Sequence, residues 1–195
     1  TKIKKDFFGG ISMWKLFRDN SYTVVRLLLN QIALSLFSLM LVSVYATFDF
    51  RSVQAIVGIF GAGLYLYLQY TVMWSDGAKD RVRVSVDHAK YIPGKGVYLA
   101  LFANSINLLL AVFATLSDFF GAAVPFFGNL QFAKVVLNLV QTMYLPLVTL
   151  FVPASRIPFY LYLLSPVPAI AVCGIAFENG YRNRLPLYST AKKKK

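Results

Sequence analysis

Four apolar runs decide what this chain can fold into. Residues 24–48 carry a single charge, Arg26, and residues 53–74, 97–117 and 157–177 carry none. Each run is at least as long as the roughly 20 residues an α-helix needs to cross the hydrocarbon core of a bilayer. Backbone polar groups cannot be left unpaired in that core, so the runs are expected to be helices. The hydrophobic share of 57% also exceeds the roughly 45–50% usual in soluble domains. The predicted fold is all-α, a polytopic transmembrane helix bundle forming one membrane domain.

The polar stretch at residues 75–96 separates the two apolar halves. Its Lys79, Arg81, Arg83, Lys90 and Lys95 outnumber Asp76, Asp80 and Asp87, and short basic loops resist translocation. It is expected to be a cytosolic loop between the second and third spans. Sixteen of the 20 Lys/Arg lie in residues 1–23, 75–96 and 178–195, so the positive-inside rule places both termini in the cytosol as well. A net charge of +12 in a soluble domain would suggest nucleic acid. Here the cations sit at the ends of apolar runs. The expected partners are therefore the lipid bilayer and its anionic lipids, with no nucleic acid.

Residues 1–23 interleave aromatic and basic side chains (Phe7, Phe8, Trp14 and Phe17 among Lys15 and Arg18) and predict an interfacial segment. No short apolar core of a signal peptide is present, so the first span is expected to remain as an anchor. Arg26, one turn inside that span, is expected to snorkel to the headgroups. Gly58 and Ala62 provide a small face for close helix approach in the second span. Tyr65, Tyr67, Tyr70 and Trp74 gather toward its cytosolic end as an aromatic belt.

Residues 118–152 resist a simple reading. They are apolar but interrupted by Gly121, Pro125, Gly128 and Pro146, and Lys134, Asn138, Gln141 and Thr142 recur at helical spacing as a polar stripe. A fifth full span here would carry the basic tail outside, against the charge rule. The expectation is four full spans plus a partly inserted, re-entrant or interfacial hydrophobic hairpin at 118–152 on the outer side, with five full spans as the alternative. Pro166 and Pro168 predict a kink or break in the last span.

Chemistry-bearing residues are few. His88 is the one histidine, Cys173 the one cysteine, and no nucleotide, hydrolase or zinc-protease motif occurs. No catalytic, cofactor-binding or metal residue is expected, and no cofactor; the chain does not read as an enzyme. Asp49, Asp118 and Glu178 fall at span ends, which argues against a proton-coupled pump. Candidate partner or lipid contacts are Lys79, Arg81, Arg83 and Lys90. Candidate intramembrane polar contacts are Asn104, Asn107, Asn138 and Gln141, for which interhelical hydrogen bonding is the simplest role and a polar pathway or ligand contact the sharper one.

The opening of the basic stretch, Trp74-Ser75-Asp76-Gly77-Ala78-Lys79-Asp80-Arg81, reads locally as a capped turn. Together with Gly94-x-Gly96 before the third span and Gly180-Tyr181-Arg182 after the last, this W-x-x-G-x-K-D-R pattern resembles a group of small, uncharacterised multi-pass membrane proteins of Gram-positive bacteria. That resemblance implies a bacterial cytoplasmic membrane and cytosolic termini, and no activity. The expected role is a non-enzymatic accessory or interaction subunit working with another membrane protein. The alternative is the membrane component of an ABC-type, permease-like transporter for a small solute or lipid, served by a separate ATPase subunit.

Overall fold

In the computed structural model, residues 13–45, 50–86, 91–120, 132–152, 157 and 159–183 are described. Nine helices lie among them. These are α1 (Met13–Asp19), α2 (Ser21–Tyr45), α3 (Arg51–Ser85), α4 (Lys95–Ala103), α5 (Ser105–Phe120), α6 (Phe132–Val140), α7 (Leu145–Thr149), α8 (Phe159–Leu164) and α9 (Val167–Tyr181). Strands are absent from the described residues.

Three helical segments, Ser21–Val44, Arg51–Ser85 and Tyr160–Tyr181, are long and apolar enough to cross a membrane. The pair Lys95–Ala103 and Ser105–Ser117, bent by 55°, makes a fourth if it counts as one span. The outward faces carry large apolar side chains such as Leu29, Met40, Ile56, Phe60, Leu109 and Ile175, the reverse of a water-soluble bundle. Residues 132–152, the hydrophobic part of the expected hairpin, form only the nine-residue α6, a turn and the five-residue α7. Residues 121–131, its apex, lie outside the described residues.

The largest departure from expectation is in α3. Residues 75–85 are not a loop: α3 runs 35 residues without interruption to Ser85. At 1.5 Å per residue it is about 50 Å long, well beyond the roughly 30 Å of a hydrocarbon core. Ser75 and Asp76 therefore cap nothing, and Gly77 makes no turn. Ala78, Lys79, Arg81 and Arg83 are strong helix formers, and the single glycine among them is too small a penalty to stop propagation.

Gly77 is there for contact. A Cβ at Gly77 would fall on the Phe177 carbonyl oxygen of α9, and a Cβ at Gly180 on the Trp74 carbonyl oxygen of α3. The two backbones touch reciprocally, as small residues allow where helices cross closely. Gly96 of α4 meets the same stretch of α9, with Phe177 Cβ at 2.6 Å and the Cys173 carbonyl oxygen at 2.7 Å from its would-be Cβ. Around this crossing lies one core of Val24, Leu27, Tyr70, Met73, Leu99, Ala100, Cys173, Ala176 and Phe177.

Farther along, the small face at Gly58, Gly61 and Ala62 is filled, though not by a long helix. The α6–α7 turn sits on it, with Leu147 Cγ 2.8 Å from the would-be Cβ of Gly58. Gln54 holds the turn by donating to the Pro146 carbonyl oxygen (3.1 Å) and to Thr149 Oγ1 (2.7 Å). Tyr65, 1% exposed, packs edge-on against Tyr144 and joins a second core with Leu34, Met143 and Ala169. The aromatic belt is thus corrected: Tyr65 and Tyr70 are core, and Tyr67 is exposed. Spacing alone could not separate them, because a uniformly apolar helix gives no phase from which to tell its faces.

One span is bent at a break and another carries a short turn. The last is interrupted at Ser165 and Pro166, between α8 and α9, as its prolines predict. The third bends at Asn104, where the side-chain amide donates to the Ala100 carbonyl oxygen at 2.9 Å and competes with the helix's own ladder.

Replacing Gly180 or Gly77 by alanine is expected to destabilise the chain by at least the roughly 1–3 kcal/mol of core overpacking, since the opposing atoms are backbone. Gly63→Ala, whose added Cβ meets nothing within 4 Å, should be neutral or slightly stabilising. Thermal unfolding of the three variants in mild detergent checks this; equal losses at Gly63 and Gly180 would contradict the packing described.

Candidate functional site

Where α3, α4 and α9 converge, the chain buries a charge. Pro93 and Gly94 turn the backbone, Gly94 in the left-handed region (φ 72°), so that α4 starts at Lys95. Lys95 is 4% exposed. A cation is disfavoured at a helix N-terminus and in a dry interior, so its neighbours must compensate. Lys95 Nζ lies 2.7 Å from Asp80 Oδ2 and 3.8 Å from Asp76 Oδ2. It also sits 5.7 Å from the Phe177 ring centroid.

Both carboxylates come from consecutive turns of one α3 face, which only a continuous helix through residues 75–85 can supply. Asp76 is shared further: its Oδ1 accepts from Thr23 Oγ1 of α2 at 3.1 Å. Asp80 also has Arg83 at 3.9 Å. The cluster thus ties α2, α3 and α4 together at the same level where glycines lock α3 to α9.

A second polar contact closes the α9 side. Tyr91 donates to Glu178 Oε2 at 2.8 Å, Arg182 Nε donates to Glu178 Oε1 at 2.6 Å, and the Tyr91 and Tyr181 rings lie 4.4 Å apart. Burial and the Glu178 carboxylate push the Tyr91 hydroxyl up to about 12. It therefore stays a protonated donor through the ordinary pH range; the contact is complete below pH 10 and lost as pH rises toward 12.

The four basic candidates do not form one surface. Lys79 and Arg83 line a cleft of about 120 Å³ between the start of α2 and this part of α3, with Asp19, Asn20, Tyr22, Thr23, Arg26, Ser75 and Asp76. Arg26 is exposed there. Arg81 is exposed but is not among the cleft's lining residues. Lys90, like His88, lies outside the described residues.

The intramembrane candidates are engaged within the chain and fall into two separate pairs. Asn107 Nδ2 donates to Asn104 Oδ1 at 3.2 Å, so this pair serves the bend in its own helices and not an interhelical contact. Asn138 Oδ1 accepts from Tyr162 Oη at 2.9 Å, and Gln141 Nε2 donates to the Tyr162 carbonyl oxygen at 3.4 Å, joining α6 to α8. Of the polar stripe, Gln141 and Thr142 in the turn after α6 are buried, and Lys134 and Asn138 on α6 are half-buried. Beside it is a cavity of about 20 Å³ lined by Asn138, Gln141, Tyr144, Tyr162 and Ser165, room for about one water.

Sequence reasoning missed Lys95 as a site residue, and with it Thr23, Asp76 and Asp80. A signal was available: Asp76 and Asp80 are four apart, and a lysine between two glycines precedes an apolar run. The three fragments that carry the resemblance, Trp74–Arg81, Gly94–Gly96 and Gly180–Arg182, are the ones that meet here. No group of three or more His, Cys, Asp or Glu able to hold a metal occurs among the described residues.

Lys95→Met, which strands two carboxylates, should destabilise by roughly 3 kcal/mol or more. Asp80→Asn should cost less, because Asp76 still faces Lys95. Unfolding temperatures in detergent give the order; an Asp80→Asn loss exceeding that of Lys95→Met would contradict it. No protein-family model, curated protein or solved structure matches this chain.

Proposed function

We propose that this chain is a non-enzymatic accessory subunit of a bacterial cytoplasmic membrane, with both termini cytosolic and four spans, and that α3 docks a partner. The observation that carries this reading is the C-terminal end of α3. It is held rigidly to α4 and α9 by Lys95, Gly77 and Gly180, yet its last turns leave Val82 (63%) and Val86 (55%) exposed beside Arg81. Val82 lies on the last turn of the helix and Val86 is the residue just past its end, both beyond the apolar run where lipid would cover them. A fixed helix with an apolar pair and a cation at its tip is suited to a partner's groove.

A photo-crosslinker at Val82 should capture one stoichiometric partner in native membranes, and Val82→Asp with Val86→Asp should abolish capture while the fold persists. Recovery of no stoichiometric partner in mild detergent would sink the reading. Orientation has its own check. The native Cys173 is buried, so a cysteine introduced at Ser189 reports alone; it should resist a membrane-impermeant maleimide in intact cells.

The second reading, a transporter's membrane component with a separate ATPase, is favoured by the break in the third span at Asn104. Broken helices offer free backbone groups to a substrate. An ATPase as the Val82 partner would select it.

A further inference from the structure

The cleft between α2 and α3 has the composition of an anion site, and we infer that it holds the phosphate of an anionic phospholipid headgroup. Three cations line it: Arg26 from α2, and Lys79 and Arg83 from successive turns of α3. Two carboxylates, Asp19 and Asp76, line it too, and would cancel much of that charge if they were unmatched. Both are occupied elsewhere. Asp76 accepts from Thr23 and faces Lys95 Nζ at 3.8 Å, and Asp19 has Arg18 at 3.9 Å. Asp80, the carboxylate nearest Arg83, is taken by Lys95 at 2.7 Å.

Lys95 thus acts on the cleft from behind. It binds Asp80 at 2.7 Å and offsets part of the charge of Asp76 at 3.8 Å, while Lys79 and Arg26 have no ion-pair partner within 4 Å among the described residues. Ser75, Tyr22 and Asn20 add polar groups around the same opening, and a phosphate offers acceptor oxygens to all of them.

The position selects a lipid over a free ion. Tyr22 (74%) stands at the cleft and Trp14 (71%) on the adjoining α1, both exposed, as aromatic side chains at headgroup level are. The exposed Val25 and Leu29 flank Arg26 on α2, giving acyl chains an apolar surface next to the cations. Charge arranged at the foot of two apolar helices is how anionic headgroups are held at a cytoplasmic leaflet.

Thermal unfolding of the full chain in mild detergent, titrated with phosphatidylglycerol, phosphatidylcholine or inorganic phosphate, tests this. Phosphatidylglycerol should raise the unfolding temperature and phosphatidylcholine should not. In Lys79→Gln with Arg83→Gln, and separately in Arg26→Gln from the opposite wall, the phosphatidylglycerol needed should rise roughly tenfold. Arg81→Gln, outside the cleft, should leave it unchanged. An equal loss in Arg81→Gln would reduce the effect to general surface charge and overturn the site. Equal stabilisation by phosphatidylcholine, or by millimolar inorganic phosphate in place of lipid, would overturn the lipid assignment. Lipid retention and partner capture at Val82 are separate readouts, so either can fail alone.

Discussion

Everything at one end of this bundle depends on how closely α3 and α9 approach. Gly77 and Gly180 let each backbone rest on the other's carbonyl, and in an apolar surrounding such contact must come from packing, because no hydrophobic effect drives apolar helices together. Lys95 then adds direction to a non-directional contact. Its ammonium can be satisfied only where α3 presents Asp76 and Asp80 on one face, so the register of α3 against α4 is set by charge while its distance from α9 is set by glycine. A buried ion pair adds little net stability compared with an apolar replacement, but its partial removal is costly. Its consequence here is a unique arrangement.

The four apolar segments and the break at Pro166 were legible from run length and proline alone. Both follow from rules that need no partner: a helix of some 20 apolar residues, and a missing backbone donor. The end of α3 was not legible in this way. Charged residues and glycine after an apolar run look like a loop when the criterion is hydropathy, yet helix formation is indifferent to hydropathy, and Ala78 to Val84 contains nothing that stops it. Where a span ends and where its helix ends are different questions.

The site was half visible for a related reason. Lys79, Arg81 and Arg83 were grouped because they are close in sequence, and the helix separates them, sending Lys79 and Arg83 to the cleft and Arg81 elsewhere. Lys95 was counted among the loop cations when it is the one buried cation among the described residues. Burial of a lysine depends on counter-charges fifteen and nineteen residues earlier, and pairings at that range are visible only once the backbone path is known. Asn138 and Gln141 were found by their spacing, whereas their partner Tyr162 carries no mark that separates it from other aromatic residues in its segment.

The helix turns Arg81 away from Lys79 and Arg83, which a single basic stretch seemed to merge. On the α2 side of α3, Lys95 offsets part of the carboxylate charge, and Lys79 and Arg26 have no ion-pair partner among the described residues. Farther along the same helix Val82 is exposed three residues beyond Lys79, and Val86 is exposed just past the helix end. An ammonium buried behind the helix thus favours a basic front: with a neutral residue at position 95, Asp76 and Asp80 would turn their charge on Lys79 and Arg83, each three residues further along the same helix, where opposite charges can pair. The same residue that fixes the helix against the bundle also fixes the sign of the surface that it shows.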